Sequence, residues 1–150
     1  MRLRLLASLS AACLTLVQAS PAHALDYRST GRPALLYDAP STSAGKVAVA
    51  GSGLPLEVVV DSDKWVKVRE PNGHLAWIEK SALAGPRSVM IKADTSFVRA
   101  QPRADADVVF RAARGLLLGV TGDADAYGWL PVKHAGGQSG WVPAHEVWGR

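Results

Sequence analysis

The sequence predicts an all-β protein built from one small unit written twice. Three observations carry that expectation. Apolar and polar residues alternate over short runs, turn residues punctuate those runs, and the pattern after residue 24 recurs at a nearly fixed offset. Period-two alternation marks strands with one buried face, whereas an amphipathic helix returns its apolar residues every three or four positions. Beyond the leader, no stretch of ten or more residues carries the helical period convincingly.

The repeat appears when Leu36-Tyr37-Asp38-Ala39-Pro40 is set against Val98-Arg99-Ala100-Gln101-Pro102, an offset of 62. On that offset Val47 meets Val109, Gly53 meets Gly115, Leu54 meets Leu116, Leu56 meets Leu118 and Val58 meets Val120. Two inserted residues then shift the offset to 64, so that Trp65 meets Trp129, Val68 meets Val132, Gly73 meets Gly137, Trp77 meets Trp141 and Leu83 meets Val147. A repeat that runs in one order through both halves identifies the structural unit.

Within each unit, Leu54, Leu56, Val58 and Val60 fall on one strand face, and Leu116, Leu118 and Val120 repeat it. These are expected to face the core. Turns are expected at Ser52-Gly53, Asp61-Ser62-Asp63, Pro71-Asn72-Gly73, Gly122-Asp123 and Gly136-Gly137. Asn72-Gly73 between two alternating runs is the strongest hairpin signal, because both central residues of such a turn need positive φ. The predicted organisation is a leader over 1–24, a first unit over 25–84, a linking segment over 85–94 and a second unit over 95–150. Units of this size bury a marginal core alone, so the two are expected to pack together.

The leader follows from Arg2 and Arg4, the apolar run Leu5 to Val17, and the small residues around Ala22-His23-Ala24. That arrangement is a secretory signal peptide, cleaved near Ala24. Its apolar run falls short of the roughly 20 residues a membrane helix needs, so no stable membrane span is expected after cleavage. The expected location is the periplasm or the exterior. Cys13, the only cysteine, is either discarded with the leader or acylated as in a lipoprotein; the nearby Leu9 stands one place too far upstream for the usual lipobox. Of the 17 basic residues, Arg2 and Arg4 leave with the leader, so 15 face 13 acidic ones in the remainder. They are scattered, without the clustered basic face of a nucleic-acid binder, and no nucleic-acid partner is expected.

Trp65-Val66-Lys67-Val68-Arg69, then Asn72-Gly73, then Ala76-Trp77-Ile78 and Leu83 resemble the bacterial SH3 domain, with its Trp-x-x-Val, glycine turn, Gly-Trp-Val and closing Leu. Gly140-Trp141-Val142-Pro143 and Val147 resemble it more closely; Ala76 departs where glycine is usual. The resemblance covers roughly residues 27 to 148. It implies two tandem SH3-like, partly open five-stranded barrels, a short 3₁₀ turn before each last strand, and an extracytoplasmic role often in contact with peptidoglycan.

Alternation sets Trp65, Lys67 and Arg69 on one strand face against Val66 and Val68, and sets Trp129, Pro131 and Lys133 against Leu130 and Val132. If the valines face the core, the other face offers an aromatic plate beside cations, suited to stacking and to pairing with carboxylates. Alternatively, these tryptophans cover the barrel or join the two units. Trp77, Trp141 and Pro143 fall where the wider SH3 architecture has its groove, with Tyr37 and Arg99 at the matching position of each copy; a core role for Trp77 and Trp141 is the alternative. The acidic loop that SH3 domains use for basic proline-rich ligands is not evident.

No metal, cofactor or catalytic residue is expected. Asp61-x-Asp63 and Asp123-x-Asp125 lack the six to eight oxygens of a calcium site and read as turns. His74, His134 and His145 have no partner at metal-ligand spacing. His145 and Glu146, being neighbours, are expected to point different ways. Gly51-Ser52-Gly53 precedes a strand instead of the helix that follows a nucleophile elbow, and two barrels account for the chain beyond the leader. The expected function is therefore a non-enzymatic module that binds peptidoglycan or its peptide stems, with an envelope protein adaptor, anchored through Trp148, as the alternative.

Overall fold

The computed structural model describes residues 25–150; the expected leader and Cys13 lie outside the described residues. The described chain is all β, with two 3₁₀ turns and no α-helix. In the first half β1 (Tyr27–Ser29), β2 (Ala34–Tyr37), β3 (Lys46–Ala50), β4 (Pro55–Asp61), β5 (Trp65–Arg69) and β6 (Leu75–Glu79) form one antiparallel sheet, and the 3₁₀ turn Lys80–Ala82 follows. Its strand order is β1-β4-β5-β6-β2-β3.

The second half repeats the plan with β7 (Ser88–Ile91), β8 (Thr95–Arg99), β9 (Val108–Ala113), β10 (Leu117–Val120), β11 (Trp129–Lys133), β12 (Ser139–Pro143), the 3₁₀ turn Ala144–Glu146 and β13 (Val147–Trp148). Its order is β13-β7-β10-β11-β12-β8-β9. Six and seven strands exceed the five expected because the short β1, β7 and β13 extend each sheet.

Each sheet curls around its own core. The first holds Leu36, Ala50, Leu56, Val66, Val68, Ala76 and Ile78, and the second holds Val89, Ile91, Val98, Leu118, Leu130, Val132 and Val142. The alternation of β5 and β11 thus turns the valine and leucine face inward, which settles the first question left by the sequence. Ala76 is accommodated within the core at 2% exposure. At the matching position, a Cβ on Gly140 would approach the Arg99 carbonyl oxygen at 2.6 Å, so glycine permits the close contact of β12 with β8 there.

Two expectations change. Val60 does not join the core but is 43% exposed. The ladder between β4 and β5 slips at this point, pairing Val58 with Val68 but Val60 with Lys67, and this bulge ends the alternation that put Leu56 inside. The segment expected as a link contains β7, which lies between β13 and β10 and sends Val89 and Ile91 into the second core. A run of adjacent apolar residues after Gly85-Pro86 has no alternation to reveal that role.

A hairpin forms at Asn72-Gly73 as expected, but only Gly73 takes positive φ, at +90°; its N–H donates to the Glu70 carbonyl at 2.8 Å, so Pro71 and Asn72 are the central turn residues, and Arg69 pairs with Leu75. The two barrels are in contact through the ends of their outer strands. The Ser29 and Ser88 hydroxyls, both buried, are hydrogen-bonded at 2.6 Å, and the Ser88 hydroxyl also reaches the Gly53 carbonyl at 2.6 Å. Trp148 Nε1 donates to the Pro55 carbonyl across the junction at 3.1 Å, and its ring meets Tyr27 edge-on at 5.2 Å. Trp148 therefore joins the two units.

Candidate functional site

On the outer face of the first barrel, the antiparallel register places Lys67 beside Trp77 and Trp77 beside Tyr37. The Lys67 ammonium sits 5.9 Å from the Trp77 ring centroid, within range of a cation–π attraction. Tyr37 and Trp65 pack edge to face with centroids 5.3 Å apart, and this contact leaves Tyr37 only 6% exposed. Arg69 is turned away to Glu57, its Nε donating at 3.2 Å. Four of the five residues expected here thus form one cluster; Arg69 is held in a separate ion pair.

That cluster splits the surface into two hollows. One, of about 510 Å³, is lined by Thr42, Asp63, Lys64, Trp65, Glu79 and Lys80. The other, of about 220 Å³, lies on the far side of Tyr37, against Arg32, Leu35 and Ala82.

In the second barrel the same region is one groove of about 300 Å³, walled by Phe97, Tyr127, Trp129 and Pro143, with Arg99, His145 and Glu146. Arg99 takes the place of Tyr37, so no aromatic pair closes the middle. Its Nη1 donates to the Ala106 carbonyl at 2.7 Å, which folds the guanidinium against the barrel, 5.8 Å from the Phe97 ring centroid. Trp129 is fixed from below: its N–H donates to the Asp125 carboxylate at 2.8 Å, and the Tyr127 N–H donates to the same oxygen at 2.9 Å. This turn presents the Tyr127 ring at 88% exposure.

Of the second-copy residues expected from the sequence, Arg99, Trp129 and Pro143 line the groove, whereas Trp141 and Lys133 lie outside its lining. Trp141 stands between Pro131 and Arg99 on the half-buried outer face. Neither Trp77 nor Trp141 belongs to a core cluster. None of Trp65, Trp77, Trp129 and Trp141 makes the aromatic contact between the barrels, which falls to Trp148.

Sequence reasoning missed Phe97, Tyr127 and Glu146. Phe97 is the outward residue of β8, alternating with buried Ser96 and Val98. Tyr127 sits in the two-residue insertion, where no counterpart marks it. The expectation that His145 and Glu146 diverge is overturned: both line the groove, with His145 Nε2 3.9 Å from Glu146 Oε1, because a 3₁₀ turn swings neighbours by only a third of a turn. The Ser96 hydroxyl donates to the other Glu146 oxygen.

Of the aspartates expected in turns, Asp61 is instead the last residue of β4, while Asp125 lies in the turn before Trp129. Asp61 is flanked by Lys80 Nζ at 2.7 Å and Arg28 Nη2 at 2.9 Å, and these cations, Lys80 first, hold its carboxyl below the usual value of 3.8. Asp125 caps the turn before Trp129, as described above.

The model of the bacterial SH3 domain matches this chain twice, over residues 31–85 and 92–149. The chain belongs to the bacterial SH3 domain family. Each match falls within one of the two sheets, leaving out β1 in the first and β7 in the second. Among solved structures, similarity is found to NlpC2 from Trichomonas vaginalis, at 11% identity over 83% of this chain and 47% of that one, with a TM-score of 0.37. NlpC1 from the same organism matches at 12% identity over 88% of this chain and 48% of that one, also with a TM-score of 0.37. This chain therefore spans about half the length of those two proteins. No curated protein matches it. Among the described residues, no helix is long and apolar enough to cross a membrane.

Proposed function

We propose that this tandem bacterial SH3 protein is an exported, non-catalytic binding module that docks on peptidoglycan through its peptide stems. The observation that carries the reading is the aromatic groove of the second barrel, where Phe97, Tyr127, Trp129 and Pro143 surround charged groups of both signs. Stem peptides are short, extended and rich in carboxylates and amines, and rigid aromatic walls hold such chains at low entropic cost. Tyr37, Trp65, Lys67 and Trp77 give the first barrel a related aromatic surface, divided between two hollows.

The test is co-sedimentation of the purified protein with isolated sacculi, beside folded Trp129→Ala and Trp65→Ala variants. Retention of the wild type, its loss in Trp129→Ala and a smaller loss in Trp65→Ala are expected. Absence of wild-type retention at low and moderate salt refutes wall binding.

A second reading, an adaptor for another envelope protein, draws on the first barrel. There Leu35, Val47 and Val49 are 37%, 55% and 67% exposed along the edge strand β3 and its neighbour β2. An apolar edge of this kind can accept a partner strand. On this reading Val49→Asp abolishes association with the partner and leaves sacculus retention intact.

A further inference from the structure

We infer that the second groove reads a zwitterionic chain end, an ammonium and a carboxylate carried on one ligand, and that the first barrel has no such site. The inference deepens the wall-binding proposal and rests on it for the source of the ligand, but its chemistry comes from comparing the two copies position by position. Where the second barrel has Ser96 and Glu146, the first has Ala34 and Ala82. Where it has Phe97, Arg99 and Arg111, the first has Leu35, Tyr37 and Val49. Ala82 belongs to the first core and Ala34 packs against it, so the second barrel trades buried apolar contact for the hydrogen-bonded pair of Ser96 and Glu146, while the other exchanges alter the outer face.

The negative element is Glu146. One of its oxygens accepts from the Ser96 hydroxyl, which is fully buried, so the carboxylate is anchored from beneath while its side chain remains 28% exposed toward the groove. An ammonium entering between Trp129 and Tyr127 meets that carboxylate and two aromatic faces, a combination suited to a primary amine. The positive element is the pair of arginines around Phe97. Arg99 and Arg111 lie 5.8 Å and 5.6 Å from its ring centroid, and among the described residues neither has a carboxylate partner. The one guanidinium contact of Arg99 is to a backbone carbonyl, which leaves its other N–H groups to meet a ligand carboxylate. A groove of about 300 Å³ holds one amino-acid end and not a folded domain.

The probe is N-acetyl-glycyl-glycyl-lysine, which carries one ammonium and one carboxylate, compared with its C-terminal amide and its Nε-acetyl form by NMR titration and calorimetry. The parent peptide is expected to bind with one site per chain and to perturb Trp129 and Phe97. Each neutralised form is expected to bind at least about tenfold more weakly, as are Glu146→Gln and Arg99→Gln proteins against the parent peptide. Gln at 146 keeps an acceptor for Ser96, and unfolding midpoints confirm that both variants remain folded. Equal binding of all three peptides, two sites per chain, or no binding overturns the inference. Sacculus sedimentation is run in parallel: retention without peptide discrimination sinks this inference and leaves the wall-binding proposal standing. Discrimination without retention does the reverse.

Discussion

Truncating Trp148 should uncouple the two barrels. The ring bridges them by three separable contributions: a hydrogen bond from Nε1 to the Pro55 carbonyl, an edge-on contact with Tyr27, and apolar burial of most of the side chain. The hydrogen bond contributes about 1 kcal/mol, the aromatic pair about 0.5–1.5 kcal/mol. Burial of most of a tryptophan, less what alanine keeps buried, removes at least on the order of 100 Å² of apolar surface from water, or about 2 kcal/mol after allowance for a compact unfolded state. Trp148→Ala is therefore expected to cost about 3.5–4.5 kcal/mol. For a chain of this size, that shifts the thermal midpoint by roughly 10–15 °C. Trp148→Phe keeps the stacking and most of the burial and should cost only about 1–2 kcal/mol.

Calorimetry supplies the second readout. One cooperative transition in the wild type should become two in Trp148→Ala, because Ser29 and Ser88 are then the main remaining link. The Tyr27 hydroxyl gives a third: burial first, then Glu57, raises it above its ordinary 10.0, and exposure of the junction should bring it down. A Trp148→Ala protein that loses less than about 1 kcal/mol and still melts in one transition would refute the account, since no combination of the three contributions is that small.

Asp61→Asn should flatten the acid limb of the stability profile. The folded-state carboxyl is held below 3.8 by Lys80 and Arg28, so its contribution is present above that pH and disappears as the pH falls through the lower folded value; unfolding midpoints from pH 6 to pH 2 should converge for wild type and variant at the acid end. Gly140→Ala should destabilise the second barrel by about 1–3 kcal/mol, because the new Cβ lands 2.6 Å from the Arg99 carbonyl oxygen and 2.7 Å from Val98 Cγ1. Chemical denaturation measures it, and an unchanged midpoint would show that β12 and β8 separate without cost.

The fold was legible because its information is local and duplicated. Alternation in Trp65–Arg69 separated the two faces of the strand without reference to the rest of the chain, and the second copy repeated the division through Leu130 and Val132; which face is buried came from the structure. Legibility failed where position depends on something other than alternation. Val60 lost its face to a bulge, a one-residue slip that leaves the apolar pattern of the strand intact. Ser88–Ile91 read as a connector because a short strand flanked on both sides needs no alternation. The groove was half visible: Trp129, Arg99 and Pro143 come from strands whose faces the repeat defines. Tyr127 and Glu146 come from an insertion and a 3₁₀ turn, where periodicity carries no direction.

Duplication also frees one copy to change. Most core exchanges stay apolar and differ by little in volume, such as Leu36 for Val98 and Ile78 for Val142, one methylene each, because a packed interior resists both voids and excess. Outer-face positions on the same strands carry no such constraint, and there the copies differ in charge as well as size. The replacement of Ala34 and Ala82 by Ser96 and Glu146 shows the limit of that freedom: a serine with no exposure requires a partner, and the carboxylate that supplies one gains an anchored position at the groove. Removing the serine alone therefore gives a distinct expectation. Ser96→Ala should leave the second barrel folded, since alanine occupies the matching site of the first, while freeing Glu146 to swing toward His145. Affinity for an amine-bearing peptide should then fall with little change in the unfolding midpoint. A midpoint that collapses together with affinity would mean that the pair serves the core and not the groove.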